Sequence, residues 1–124
     1  MENSQILEAC KAGIAAWQHA FNNQDAEGCA NQYQADCIMH ARPFGIFEGR
    51  KAIQAFWQDI IDKGFKDVSY TEVKWEPIGE NGYLLSSKWT MNNAFGVVHK
   101  EHWVVGSDGH AKLASDDFEI QGER

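Results

Sequence analysis

Apolar residues recur at helical spacing in the first half of the chain and alternate with polar residues in the second half. The helical spacing predicts helices over residues 4–23, 25–33 and 50–63. The apolar stripes of the first and third helices are Ile6, Cys10, Ile14, Trp17 and Phe21, and Ile53, Phe56, Trp57, Ile60 and Ile61. Neighbours within a stripe lie on one side of a helix, which is typical of a helix that packs against a core.

Strands are predicted on both sides of the third helix. A short strand over residues 37–42 comes before it and is ended by Pro43 and Gly45. Four longer strands come after it, over residues 67–78, 83–91, 97–105 and 110–120. Helices followed by a meander of antiparallel strands predict an α+β fold, with three helices packed on a strongly curved, mainly antiparallel sheet. Such a sheet would enclose a cone-shaped cavity.

Length and charge limit the classes of protein. A chain of 124 residues without repeats or linkers indicates one domain over residues 1–124. The net charge of −7, without any basic run, argues against a nucleic-acid partner. No apolar segment approaches the roughly 20 residues of a membrane span, and the polar start of the chain is unlike a signal peptide. Three cysteines without CxxC spacing are typical of buried thiols in a reducing compartment, so we expect a cytoplasmic protein.

Several short motifs accompany this order of elements. They are Tyr33 with Asp36, Pro43-Phe44-Gly45, Gly49-Arg50 with Ile53, Phe56 and Trp57, and Asp108-Gly109. The elements and motifs together resemble the nuclear-transport-factor-2-like superfamily, and within it the SnoaL-like polyketide cyclases and ketosteroid isomerases. The resemblance covers nearly the whole chain and implies a cone-shaped α+β barrel. It leaves the activity open, because the superfamily includes enzymes, binding proteins and assembly modules.

The resemblance implies three catalytic positions, which the ketosteroid isomerases fill with an Asp base and with a Tyr and a protonated Asp as oxyanion donors. The base would lie just before Pro43, where this chain has Ala41 and Arg42, and neither accepts a proton at neutral pH. The Tyr corresponds to Trp17 and the buried acid to Glu101. We therefore do not predict steroid isomerisation.

Strand alternation suggests a different set of polar residues in the cavity. The candidate catalytic residues are His40, His99, Glu101 and Asp117, and the candidate substrate-binding residues are Trp17, Phe21, Arg42, Trp57, Trp89 and Trp103. This set assumes that Arg42 and Glu101 face inward and that each strand alternates regularly; the inward position of Asp117 follows from the resemblance. Glu101 is expected to be the most buried carboxylate. A His beside a carboxylate is a workable acid–base pair, and Arg42 would hold a substrate carboxylate or an enolate oxygen.

Alternation places Phe118 and Ile120 on the face opposite Leu113 and Asp117, and the resemblance implies that this is the outer face of the sheet. Apolar residues on an outer face need cover, so we expect a homodimer through that face.

Two functions fit these patterns. The first is an enzyme that performs proton-transfer chemistry on a small hydrophobic carbonyl compound, as an isomerase, cyclase or dehydratase. The second is a non-catalytic module that binds a small hydrophobic molecule or only dimerises. No cofactor is expected. His40, His99 and Glu101 offer a possible two-His-one-carboxylate metal set, but H-x-E on a strand has no metal specificity, so no metal is expected either.

Overall fold

The computed structural model describes residues 2–124, which form three helices packed on one six-stranded sheet. The helices are α1 (Asn3–Asn22), α2 (Ala26–Ala30) and α3 (Arg50–Asp62). The strands are β1 (Tyr33–Arg42), β2 (Gly45–Glu48), β3 (Ser69–Ile78), β4 (Gly82–Thr90), β5 (Ala94–Val105) and β6 (Ala111–Glu123). They lie in the order β2-β1-β6-β5-β4-β3, and every neighbouring pair is antiparallel except β1 with β6. The predicted α+β fold is confirmed.

The region between α1 and α3 differs most from the prediction. Helix α2 is short, and Asp25 caps it by accepting a hydrogen bond from the Gly28 amide at 3.0 Å. Tyr33 starts β1 instead of ending the helix, because its backbone pairs with Leu113 of β6 and its carbonyl accepts two hydrogen bonds from Arg50. Strand β2 was not predicted, since four residues are too few to show alternation.

The helices contribute the core through the faces that the periodicity indicates. All five residues of the predicted α3 stripe are buried. In α1 the buried position at the centre is Gly13, and Ile14 is half-buried beside it. A Cβ atom at Gly13 would lie 2.6 Å from the ring of Trp103, so only glycine lets α1 approach the sheet this closely.

Extra residues interrupt the pairing of β5 with β6 at three places, and two of these lie in the middle of the strands. Val98 pairs with Phe118 but Lys100 pairs with Asp117, which leaves His99 as an extra residue in β5. In β6, Ala114 is extra in the same way, because Trp103 pairs with Leu113 and His102 with Ser115. A bulge of this kind reverses which residues face the core beyond it. The prediction of regular alternation in these strands is therefore wrong.

The bulge in β6 changes the place of Phe118. Its side chain is 7% exposed and stacks on Trp57 inside the fold, with ring centroids 5.4 Å apart. The prediction that Phe118 and Ile120 lie on the outer face is wrong, because the half-buried Ile120 also packs against the core, so neither residue supports a dimer. Dimerisation through the outer face stays a prediction.

None of the helices within residues 2–124 is long and apolar enough to cross a lipid bilayer.

Trp103 tests the packing between α1 and the sheet. Trp103→Ala is expected to lower the free energy of unfolding by about 3–5 kcal/mol, as for other large core aromatics, because the indole has no exposed surface. Urea unfolding followed by circular dichroism measures the loss. Trp75→Ala is the control, because Trp75 is half-buried on the edge strand β3. It should lower the free energy of unfolding by less than half as much. Equal losses would contradict a central position for Trp103.

Candidate functional site

A cavity lies between the inner face of the sheet and helices α1 and α3. Its lining is mainly apolar and aromatic: Ile14, Trp17, Tyr33, Trp57, Val68, Tyr70, Trp89, Met91, Val98, Glu101, Trp103, Leu113, Asp116 and Phe118. The cavity volume of about 30 Å³ is more than the roughly 10–15 Å³ that one water molecule needs, but less than the roughly 150 Å³ of a cavity that holds benzene. A ligand with a ring therefore enters only when lining side chains move aside.

Asp116 is held in the cavity wall by a chain of hydrogen bonds. The Tyr33 hydroxyl donates to Asp116 Oδ2 at 2.9 Å, and the indole nitrogen of Trp57 donates to the Tyr33 hydroxyl at 3.1 Å. Arg50, at the start of α3, fixes the backbone of Tyr33 through the two hydrogen bonds to its carbonyl. Oδ1 of Asp116 is buried and has no hydrogen-bond partner among the residues that the structure describes.

Glu101 faces the same cavity from the neighbouring strand. It is the register partner of Asp116 in the β5–β6 pair, and the two residues lie on the same face. Its Oε1 accepts a hydrogen bond of 2.8 Å from the indole nitrogen of Trp103. Asp116 is 4% exposed and Glu101 is 7% exposed, so the prediction that Glu101 is the most buried carboxylate is wrong. Both carboxyl groups accept hydrogen bonds from neutral donors only.

Burial shifts both carboxyl groups towards their protonated forms. It raises the pKa of Asp116 from 3.8 to about 7, although the hydrogen bond from Tyr33 opposes the rise. Burial also raises the pKa of Glu101 well above its ordinary value, and the charge of Asp116 raises it further. Near neutral pH the pair therefore retains a proton that water-exposed carboxyl groups would release. One apolar cavity thus contains an acid and a base.

Burial also raises the pKa of Tyr33 and of Tyr70, and the two nearby carboxylates add to the rise. Both phenols therefore stay protonated, so they donate hydrogen bonds and do not accept a proton from a ligand.

The structure places five of the ten predicted site residues on the cavity wall. These are Glu101, Trp17, Trp57, Trp89 and Trp103. Phe21 is buried behind the wall, where it stacks on Trp17 with ring centroids 5.2 Å apart.

The other four predicted residues lie on the outer face of the sheet. Arg42 makes a two-pronged ion pair with Asp117, at 2.9 and 3.0 Å, and His99 contacts Glu119 at 2.8 Å. The prediction that Arg42, His40, His99 and Asp117 face the cavity is wrong.

Each misplacement has a local cause. In β1 the buried residues are Cys37, Met39 and Ala41, so His40 and Arg42 fall on the opposite side. In β5 and β6 the bulges reverse the alternation, which turns His99 and Asp117 outward.

The sequence reasoning missed Asp116, Tyr33 and Tyr70 as cavity residues. One signal for Asp116 was available. Leu113 and Phe118 are both large and apolar but are separated by an odd number of positions, so a regular strand cannot bury both. A bulge between them buries both and brings Asp116 inside. Nothing comparable marks Tyr33, because its strand begins where a helix was predicted.

The possible metal set of the two histidines and Glu101 is not assembled, because His40 and His99 lie outside the sheet and Glu101 inside it. Within residues 2–124, no group of three His, Cys, Asp or Glu side chains is arranged to hold a metal ion.

Solved structures share this architecture. The Aln2 structure from a Streptomyces species matches with a TM-score of 0.83 at 15% identity, over 97% of this chain and 94% of that chain. A ketosteroid isomerase-like protein from Erwinia carotovora atroseptica matches with a TM-score of 0.79 at 14% identity, over 96% and 98%. A putative scytalone dehydratase from Novosphingobium aromaticivorans matches with a TM-score of 0.78 at 14% identity, over 95% and 85%. At these identities the likeness establishes the fold alone.

A sequence search of curated proteins found no significant match. The model of the SnoaL-like domain family, in contrast, matches residues 14–114, which include the second half of α1, all of α3 and the strand that carries Glu101. Since this match covers most of the sequence and the fold agrees with it, the chain belongs to the SnoaL-like domain family.

Proposed function

We propose that this protein is an enzyme that moves a proton on a small, mostly apolar carbonyl compound, in the manner of an isomerase, cyclase or dehydratase. The observation that carries the proposal is the pair of opposed carboxyl groups, Glu101 and Asp116, in an otherwise apolar cavity. Burial raises the pKa of both groups, and coupled carboxyl groups in one site are a common basis of acid–base catalysis. A general base works best when its pKa lies near the operating pH, and that of Asp116 is raised to about 7.

Our proposal assigns the roles in the proton transfer from the hydrogen bonds of the pair. Oδ1 of Asp116 is the base, because Tyr33 already occupies Oδ2. It takes a proton from a carbon beside the carbonyl group; the C–H electrons move into the new C=C bond, and the carbonyl oxygen gains negative charge. Protonated Glu101 stabilises that oxygen by donating a hydrogen bond to it and keeps its own proton. Asp116 then returns the abstracted proton to a different carbon of the enolate, and the C=O bond re-forms. Tyr33 and Trp57 are positioning residues, since they hold Asp116.

The related folds support the class of reaction. The named neighbours include a ketosteroid isomerase-like protein and a putative scytalone dehydratase, whose names describe an isomerase and a dehydratase. The position of the isomerase base offers no proton acceptor here, because the inward residue before Pro43 is Ala41. The base of this protein therefore comes from β6 in our proposal.

A non-catalytic pocket protein is the second candidate. The narrow, tryptophan-rich cavity favours it, because such a lining also suits retention of a hydrophobic ligand. One measurement separates the two candidates: a pocket protein binds the ligand but does not catalyse exchange of the ligand's protons with solvent.

Proton exchange tests the proposed roles. The purified protein in D₂O is expected to exchange the α-protons of a small enolisable ketone, from a panel that includes cyclopentanone, faster than buffer does. Asp116→Asn and Glu101→Gln should each lower the rate by roughly 100-fold or more, the usual contribution of a general acid or base. Proton NMR measures the loss of the α-proton signal. His99→Asn, on the outer face, is the matched control and should keep the wild-type rate.

The rate is also expected to rise with pH as Asp116 ionises, around pH 7. Exchange no faster than in buffer across the whole panel, or a wild-type rate in Asp116→Asn, would contradict the proposal.

The buried base should also make stability depend on pH. The unfolded chain releases the Asp116 proton near pH 3.8, whereas the folded protein keeps it until about pH 7. The free energy of unfolding should therefore fall as the pH rises from 4 to 7. Asp116 contributes up to about 4 kcal/mol of this fall, since one pKa unit corresponds to about 1.4 kcal/mol, and Glu101, whose pKa is also raised, adds to it. Urea unfolding at several pH values measures the slope.

Asp116→Asn should lessen this slope, the remainder being due to Glu101, and Asp36→Asn, at an exposed position of β1, is the control. An unchanged slope in Asp116→Asn would show that Asp116 does not hold its proton in the folded state.

A further inference from the structure

Two tryptophans of the cavity have indole N–H groups without an acceptor. The nitrogens of Trp17 and Trp89 are buried, and no residue within 2–124 accepts a hydrogen bond from either. Both side chains line the same cavity as Asp116, whose Oδ1 is also unpaired. We propose that Trp17 and Trp89 determine specificity: their N–H groups bind an oxygen of the ligand, so the cavity selects uncharged carbonyl compounds. This rests on the proposed function only in that the ligand occupies the cavity of Asp116.

The other cavity tryptophans show how these N–H groups are used. Trp57 donates to Tyr33, and Trp103 donates to Glu101, so each holds part of the acid–base machinery. Trp17 and Trp89 remain with free donors. An unpaired buried donor costs about 1–3 kcal/mol, and native proteins tolerate few of them without a reason. A ligand oxygen at these nitrogens would remove that cost.

Packing fixes both indole rings before any ligand arrives. Trp17 stacks on Phe21 at 5.2 Å and meets the edge of Trp57 at 5.0 Å. Trp89 lies over Gly96, where an added Cβ atom would be only 2.6 Å from the indole ring. Donors held in place lose little freedom on binding, so their hydrogen bonds contribute to affinity and selectivity.

The chemistry of the donors defines the class of ligand. An indole N–H donates and never accepts, so it recognises an acceptor oxygen such as that of a ketone, aldehyde or ester. No Lys, Arg or His is among the residues that line the cavity, and Glu101 and Asp116 are the only acidic ones. A carboxylate or phosphate ligand would be desolvated there without a cation and beside groups of the same sign. The cavity is therefore expected to reject anionic ligands.

Three probes of similar shape test this selectivity: cyclopentanone, methylenecyclopentane, which replaces the oxygen by CH₂, and cyclopentanecarboxylate. The protein is labelled with ¹⁵N, and the indole N–H signals are followed by NMR at pH 8 during titration. The ketone should shift the signals of Trp17 and Trp89 downfield, and the hydrocarbon should not. The carboxylate should bind at least tenfold more weakly than the ketone.

Single variants assign the signals and measure each contribution. Trp17→Phe and Trp89→Phe each remove one indole signal and should weaken ketone binding roughly threefold to tenfold, the usual effect of one hydrogen bond. Trp75→Phe is the matched control, because Trp75 packs on Tyr83 away from the cavity. It should bind the ketone as the wild type does.

Several outcomes would overturn the proposal: equal shifts with the ketone and the hydrocarbon, ketone shifts confined to other tryptophans, equal affinity for the carboxylate, or no binding of any probe. The wild-type comparison of the three probes stands even if a variant fails to fold. Failure here is distinct from failure of the proposed function. If the protein exchanges α-protons without these indole shifts, the enzyme assignment stands and the role of Trp17 and Trp89 is wrong. If the shifts occur without exchange, the role of the two tryptophans stands and the enzyme assignment is wrong.

Discussion

The inner surface of this protein depends on two extra residues, His99 in β5 and Ala114 in β6. A regular strand has its residues alternately inside and outside, and one extra residue reverses that order for the rest of the strand. The two reversals lie in neighbouring strands, so they bring Glu101 and Asp116 opposite each other on the inner face. Without them, one side of the cavity would not contain a pair of carboxyl groups.

Burying such a pair lowers the stability of the folded protein. The groups are buried beside each other, receive hydrogen bonds only from neutral donors, and hold protons that they would release in water. The surrounding aromatic core, in which Trp103 packs against Gly13, stabilises the fold and offsets this loss of stability. Carboxyl groups with raised pKa values are common where a protein does chemistry, because a carboxylate with its ordinary pKa is a poor base at neutral pH.

The sequence was sufficient for the architecture but not for the site. Helix faces follow from spacing alone, and the α3 stripe from Ile53 to Ile61 was predicted residue by residue. The site depends on which side of a strand a residue faces, and a single bulge inverts that assignment. Glu101 was correctly placed inside because it lies beyond the bulge together with Trp103. His99 was misplaced because it is itself the extra residue of β5, and Asp117 because the extra residue Ala114 lies between it and Leu113.

The adjacent aspartates of β6 connect the surface of the protein with its interior. Asp116 faces the cavity, whereas Asp117 faces outward and binds the exposed guanidinium of Arg42. The charge of Asp117 raises the pKa of Asp116, and Arg42 balances that charge from outside. A change at Arg42 therefore alters the electrostatic environment of a carboxyl group that it never touches. Since surface substitutions usually have small effects on stability, evolution can retune the proton affinity of the enclosed site from the outside of the sheet and leave the packing of the cavity unchanged.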